Sequence, residues 1–126
     1  MKILLIDTTQ KLMRVECDNQ LFESNLDNVR HDAVVSTAVV HILQQIGIGF
    51  KDLDAYAVVT GGGSWTGNRV GVAAIKAYAM VHPKPIIVLK PNQGMKEAIA
   101  NFKKKQFIPY ENVEPSYDSE FVVTVK

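Results

Sequence analysis

The chain has 126 residues, 47% of them hydrophobic and 21% charged, with a formal net charge of +1. One domain around a single core fits that length and composition, whereas two full domains, a disordered chain or a membrane-spanning one do not. Near-neutral charge supplies no general field toward nucleic acid or an anionic bilayer. The lone cysteine, Cys17, excludes an intrachain disulfide and a multi-cysteine metal site, and points to a reducing cytosol.

Met1 to Asp7 has one basic residue and four apolar ones before a carboxylate, too short a run for a signal peptide or membrane span. Ile3 to Ile6 instead reads as a strand covered on both faces. Leu12 to Cys17 alternates, with Met13, Val15 and Cys17 on one side and Arg14 and Glu16 on the other. After the polar Asp18-Asn19-Gln20 turn, a second alternating run passes through Leu21 and Phe22, which predicts an antiparallel meander of three strands.

From Asp32 to Ile46 the apolar residues Val34, Val35, Ala38, Val39, Ile42, Leu43 and Ile46 recur every three or four positions, predicting an amphipathic helix that Gly47 ends. Asp54 to Thr60 is strand-like and runs into Gly61-Gly62-Gly63-Ser64-Trp65-Thr66-Gly67. A helix from about Thr66 to Val81 follows, closed by Pro83 and Pro85. Ile86 to Leu89 is a fifth strand and Gln93 to Lys105 a last helix. Phe107 to Ser119, with Pro109 and Pro115, reads as irregular, and Phe121 to Val125 as one more strand or a loose end. The order is that of a ribonuclease H-like or actin-like (ASKHA) lobe, an α/β mixed five-stranded sheet with packed helices, occupying residues 1–105 before a short tail of 106–126.

The three glycines leave a strand and enter a helix, where backbone N–H groups can meet an anion. The phosphate-loop template fails, because Asn68 and Arg69 stand where lysine and Ser or Thr are required after Gly67. The dinucleotide fingerprint fails at Thr66. The glycines are better read as permitting a tight turn at positive φ. Gly67, Gly71 and Ala74 lie four and three residues apart, and each helical glycine costs about 1 kcal/mol relative to alanine. Close packing against the sheet, or against a partner's helix, would offset that cost.

The stretch from Gly61 to Lys76, with its glycines, Ser64, Thr66, Arg69 and Gly71, resembles the GPGSFTGLRIG-type motif of the tRNA threonylcarbamoyladenosine biosynthesis family TsaB (YeaZ). Met1 to Thr9, Arg30-His31 and Lys51 to Ala55 agree in order and spacing, so the resemblance covers about residues 1–100. Gly62 replaces the usual proline, Trp65 the phenylalanine and Asn68 an apolar residue. The resemblance implies an actin-like N-terminal lobe, with the short tail replacing most of a second lobe. It also implies a non-catalytic, cytoplasmic scaffold that pairs with a TsaD-like protein holding the metal and substrate site. The pairing surface would fall on the first two helices, at His31, Val35, Val39, Ile42, Gly67, Arg69, Gly71, Ala74 and Tyr78. A TsaE-like ATPase would be a further partner, and tRNA would be met only through the complex.

Two alternatives stand beside that expectation: a homodimer using the same helices, and a small actin-like nucleotide-binding protein or ATPase. The second would bind ATP through Asp7, Thr8, Gly62 and Gly63. In the scaffold reading the one cofactor considered is ATP at the partner interface, and otherwise none is expected. His31, His41 and His82 lack the HExxH spacing of a metal site, and none is expected. Cys17 reads as a core residue and Lys103-Lys104-Lys105 as a solvated helix end.

Overall fold

The computed structural model describes residues 1–25, 31–61 and 65–114. The expectations for Gly62, Gly63, Ser64, the 115–126 tail and its Phe121 to Val125 strand lie outside the described residues, as does the side chain of His31.

Five strands form one mixed sheet in the order β3-β2-β1-β4-β5: β1 Ile3–Asp7, β2 Leu12–Cys17, β3 Gln20–Asn25, β4 Ala55–Val59 and β5 Ile86–Leu89. β2 runs antiparallel to β1 and β3, with Asp7 opposite Arg14 and Val15 opposite Phe22. β4 and β5 run parallel to β1 and to each other. Asp18 and Asn19 both take positive φ at the β2–β3 turn, the conformation that matches a two-residue hairpin to the twist of its strands.

Three helices, α1 His31–Ile46, α2 Trp65–Val81 and α3 Met95–Lys103, cover both faces. Alternate residues of β1 serve the two layers. Leu4 and Ile6 join Met13, Val15, Tyr56 and Val58 under α1 and α2. Ile3 and Leu5 join Ala57, Val59, Ile87 and Leu89 under α3, which contributes Ala98, Ile99 and Phe102. That two-sided burial is why β1 reads as an unbroken aliphatic run. α1 ends at Gly47, whose φ of +80° lets its N–H return to Leu43 O at 2.9 Å.

The packed body continues past the expected boundary at residue 105. Ile108 N–H donates to Ile86 O at 2.9 Å, pairing with the outer edge of β5. Tyr110–Asn112 then forms one 3₁₀ turn, and Val113 is buried in the α1–α2 layer. The segment expected to be irregular is a return that covers part of an edge strand, since Ile108 and Val113 carry enough apolar surface to hold it there.

Candidate docking groove between α1 and α2

α1 and α2 lie side by side on one face of the sheet, and between them runs an open groove of about 430 Å³. Val35 and Ser36 come from α1; Arg69, Val70, Ala73, Ala74, Ala77 and Tyr78 come from α2. Its walls are apolar because both helices are nearly devoid of charge: Asp32, Arg69 and Lys76 are their only charged residues. Arg69, Ala73, Ala77 and Val81 recur every four residues and all are exposed, Val81 at 71%. An outward helical face of alanine and valine has little affinity for water, and alanines let another backbone approach closely.

The far end of the groove is held by aromatic rings. Phe50 lies 4.8 Å from Tyr78 and stacks on His82 at 5.2 Å and 6°. Tyr56 donates its hydroxyl hydrogen to His82 O at 2.8 Å. Burial pushes the Tyr56 hydroxyl up to about 12, and burial likewise raises that of Tyr78 against a smaller opposing pull from its hydrogen bond with Ser36.

Among the expected pairing residues, the structure brings Arg69, Ala74 and Tyr78 together in the groove, with Val35 at its floor, a core residue only 1% exposed. Val39 and Ile42 belong wholly to the core, at 0% and 1% exposure. They sit on the apolar stripe of α1, and on a helix lying over a sheet that stripe faces inward, so they are corrected to core residues. Gly71 is likewise buried and faces β1: a Cβ there would stand 2.7 Å from Thr8 Oγ1 and 3.5 Å from Val58 Cγ2. Its missing side chain admits the sheet, so it too is corrected from contact to packing residue. Gly67 lies in the first turn of α2. Ser36, Val70, Ala73 and Ala77 were missed, although the row of small apolar residues Ala73, Ala77 and Val81 following Arg69 on α2 was visible in the sequence.

The candidate nucleotide residues divide. Asp7 lines a second crevice of about 370 Å³, on the α3 face, with Gln10, Leu12, Arg14, Asn92, Gln93 and Gly94. Asp7 Oδ1 accepts hydrogen bonds from Thr9 N at 2.9 Å and Thr9 Oγ1 at 2.6 Å, while its other oxygen faces the Arg14 guanidinium at 3.9 Å. Thr8 is 1% exposed and its Oγ1 accepts from Gly71 N, so it is corrected out of any ligand-contacting role. No group of three or more His, Cys, Asp or Glu stands ready for a metal among the described residues. Burial, with a smaller push from Asp18, raises the Cys17 thiol to about 11, which leaves it a protonated core side chain at neutral pH.

A mixed sheet in this order, with a β1–β2 turn at the carboxyl end of parallel strands and helices on both faces, defines an actin-like (ASKHA-type) lobe. The model of the family described as TsaD, tRNA N6-adenosine threonylcarbamoyltransferase, matches residues 26–110. The chain belongs to that family. A tRNA N6-adenosine threonylcarbamoyltransferase of Novosphingobium aromaticivorans is 39% identical over 64 residues, 51% of this chain and 18% of that protein. One from Streptococcus agalactiae is 38% identical over 77 residues, 61% of this chain and 23% of that protein. The chain thus spans about a fifth of the length of the curated relatives it matches. Among solved structures, YeaZ from Pseudomonas aeruginosa superposes with a TM-score of 0.67 at 17% identity, over 83% of this chain and 50% of that one. The resemblance to the TsaB (YeaZ) fold read from the glycine motif therefore holds. No helix among the described residues is long and apolar enough to cross a membrane.

Proposed function

We propose that this protein acts in the threonylcarbamoyl modification of tRNA adenosine as a non-catalytic docking subunit. In this reading the α1–α2 groove receives a helix of a TsaD-like catalytic partner in the cytoplasm, and tRNA and any TsaE-like ATPase are met through the complex. The observation that carries the proposal is the groove itself, an exposed and nearly uncharged helical face. Such a face gains from burial at about 25 cal/mol per Å² of apolar surface. Calorimetric titration of the TsaD-like protein from the same organism tests the reading. Wild type should bind, and Ala77→Glu, which would bury an unpaired carboxylate in the interface, should weaken binding by about a hundredfold or more. Equal affinity of the two proteins would sink it.

A second reading is favoured by the Asp7 crevice, where a buried carboxylate and the Arg14 guanidinium meet at the carboxyl ends of parallel strands, the usual ligand-binding edge of such sheets. It makes the chain a nucleotide-binding protein or ATPase. Heat evolved on titrating magnesium ATP, abolished by Arg14→Ala, would favour it over pure docking. A second copy of the chain is the remaining occupant for the groove, and light scattering of the protein alone distinguishes it.

A further inference from the structure

Asp7 and Thr8 are consecutive at the carboxyl end of β1, and consecutive residues of an extended chain leave a sheet on opposite faces. Asp7 turns to the α3 face and lines the crevice. Thr8 turns to the other face, where its Oγ1 accepts the Gly71 N–H at 2.9 Å, both residues being buried. Gly71 lies inside α2, whose N–H groups point along the axis toward the carbonyl four residues back; here the N–H also donates to a side chain at the tip of the sheet. The contact is made possible by the absent Cβ, which would lie 2.7 Å from the same oxygen. Arg69, Val70, Ala73 and Ala74, on either side of Gly71, are wall residues of the groove.

We propose that Thr8 is a positioning residue for the docking groove, an inference that rests on the docking reading above. Its hydroxyl seats the early turns of α2 on the tip of β1 and so sets where the α2 wall stands. The Asp7–Thr9 hydrogen bonds brace the same turn from the crevice side, at 2.9 and 2.6 Å.

Two substitutions separate the hydroxyl from the shape of the side chain. Thr8→Val keeps the branch and removes the acceptor; Thr8→Ser keeps the acceptor and removes a methyl. Hydrogen exchange followed by NMR on the whole chain should show the Gly71 amide exchanging about tenfold faster in Thr8→Val, while amides of β4 and β5 change far less. Calorimetry with the TsaD-like partner should show about tenfold weaker binding for Thr8→Val, and Thr8→Ser should restore both readouts to near wild type. Unchanged Gly71 exchange in Thr8→Val, an equal rise throughout the sheet, failure of Thr8→Ser to rescue, or faster exchange with unaltered partner affinity would each overturn the proposal. Absence of wild-type binding would overturn the docking reading by itself, and the exchange comparison separates that failure from a failure of the Thr8 seating.

Discussion

Replacing Gly71 by alanine sets two effects of opposite sign against each other. Alanine in place of a helical glycine should stabilise α2 by about 1 kcal/mol. At this position the added Cβ would stand 2.7 Å from Thr8 Oγ1, 3.5 Å from Val58 Cγ2 and 3.7 Å from Ile6 Cγ2. Thr8 is 1% exposed and branched, so it has little room to turn away. Overpacking of this kind costs about 1–3 kcal/mol, and loss of the Thr8–Gly71 hydrogen bond adds about 1 kcal/mol. The sum is a net destabilisation of about 2 kcal/mol, which for a domain of this size lowers Tm by roughly 8 °C. Urea titration followed by circular dichroism gives the free energy directly. In the Gly71→Ala/Thr8→Ala double variant the closest contact is gone, so the two costs should add to less than their separate sum. A Gly71→Ala protein as stable as wild type, or more so, would refute the packing argument and return this glycine to the pairing surface.

Stability should fall as pH rises from about 9 toward 12. Cys17 and Tyr56 are raised by burial, from 9.0 to about 11 and from 10.0 to about 12. Each therefore contributes stability that is complete below its unfolded value and lost as pH climbs through its folded one; urea midpoints at pH 8 and pH 11 measure the loss, and equal midpoints would contradict it. The return segment should belong to the folding unit. Val113→Ala should cost about 2 kcal/mol in the same urea assay, and a chain cut after residue 105 should lose more, whereas an unchanged midpoint would restore the boundary read from the sequence.

Element types and order were legible because each periodicity had one structural solution. The aliphatic run of β1 required covering on both sides, the alternation of β2 placed Met13, Val15 and Cys17 inward, and the stripe from Asp32 to Ile46 predicted α1 to within one residue of its start. What the pattern did not deliver was direction. An apolar stripe marks the side a helix presents to its own core, so Val39 and Ile42 were counted toward a partner when they face the sheet. The groove is made by the opposite kind of residue, small side chains such as Ala73 and Ala77, whose signal is an outward row that carries no charge after Arg69. Packing of Gly71 against the sheet was one of the two readings its helical position allowed, but its contact with Thr8 was not legible, because it joins residues 63 positions apart and depends on how close α2 sits to β1. The return through Ile108 and Val113 was hidden by Pro109, which reads as a break although it merely opens a 3₁₀ turn.

The central claim is that the α1–α2 face exists to be covered by another protein. Size-exclusion chromatography with light scattering, run on the chain alone and mixed with the TsaD-like protein of its organism, tests it most directly. The account predicts a mixed complex of defined mass that Ala77→Glu abolishes while leaving the variant folded. Two components eluting at their separate masses, with neither protein self-associated, would contradict it.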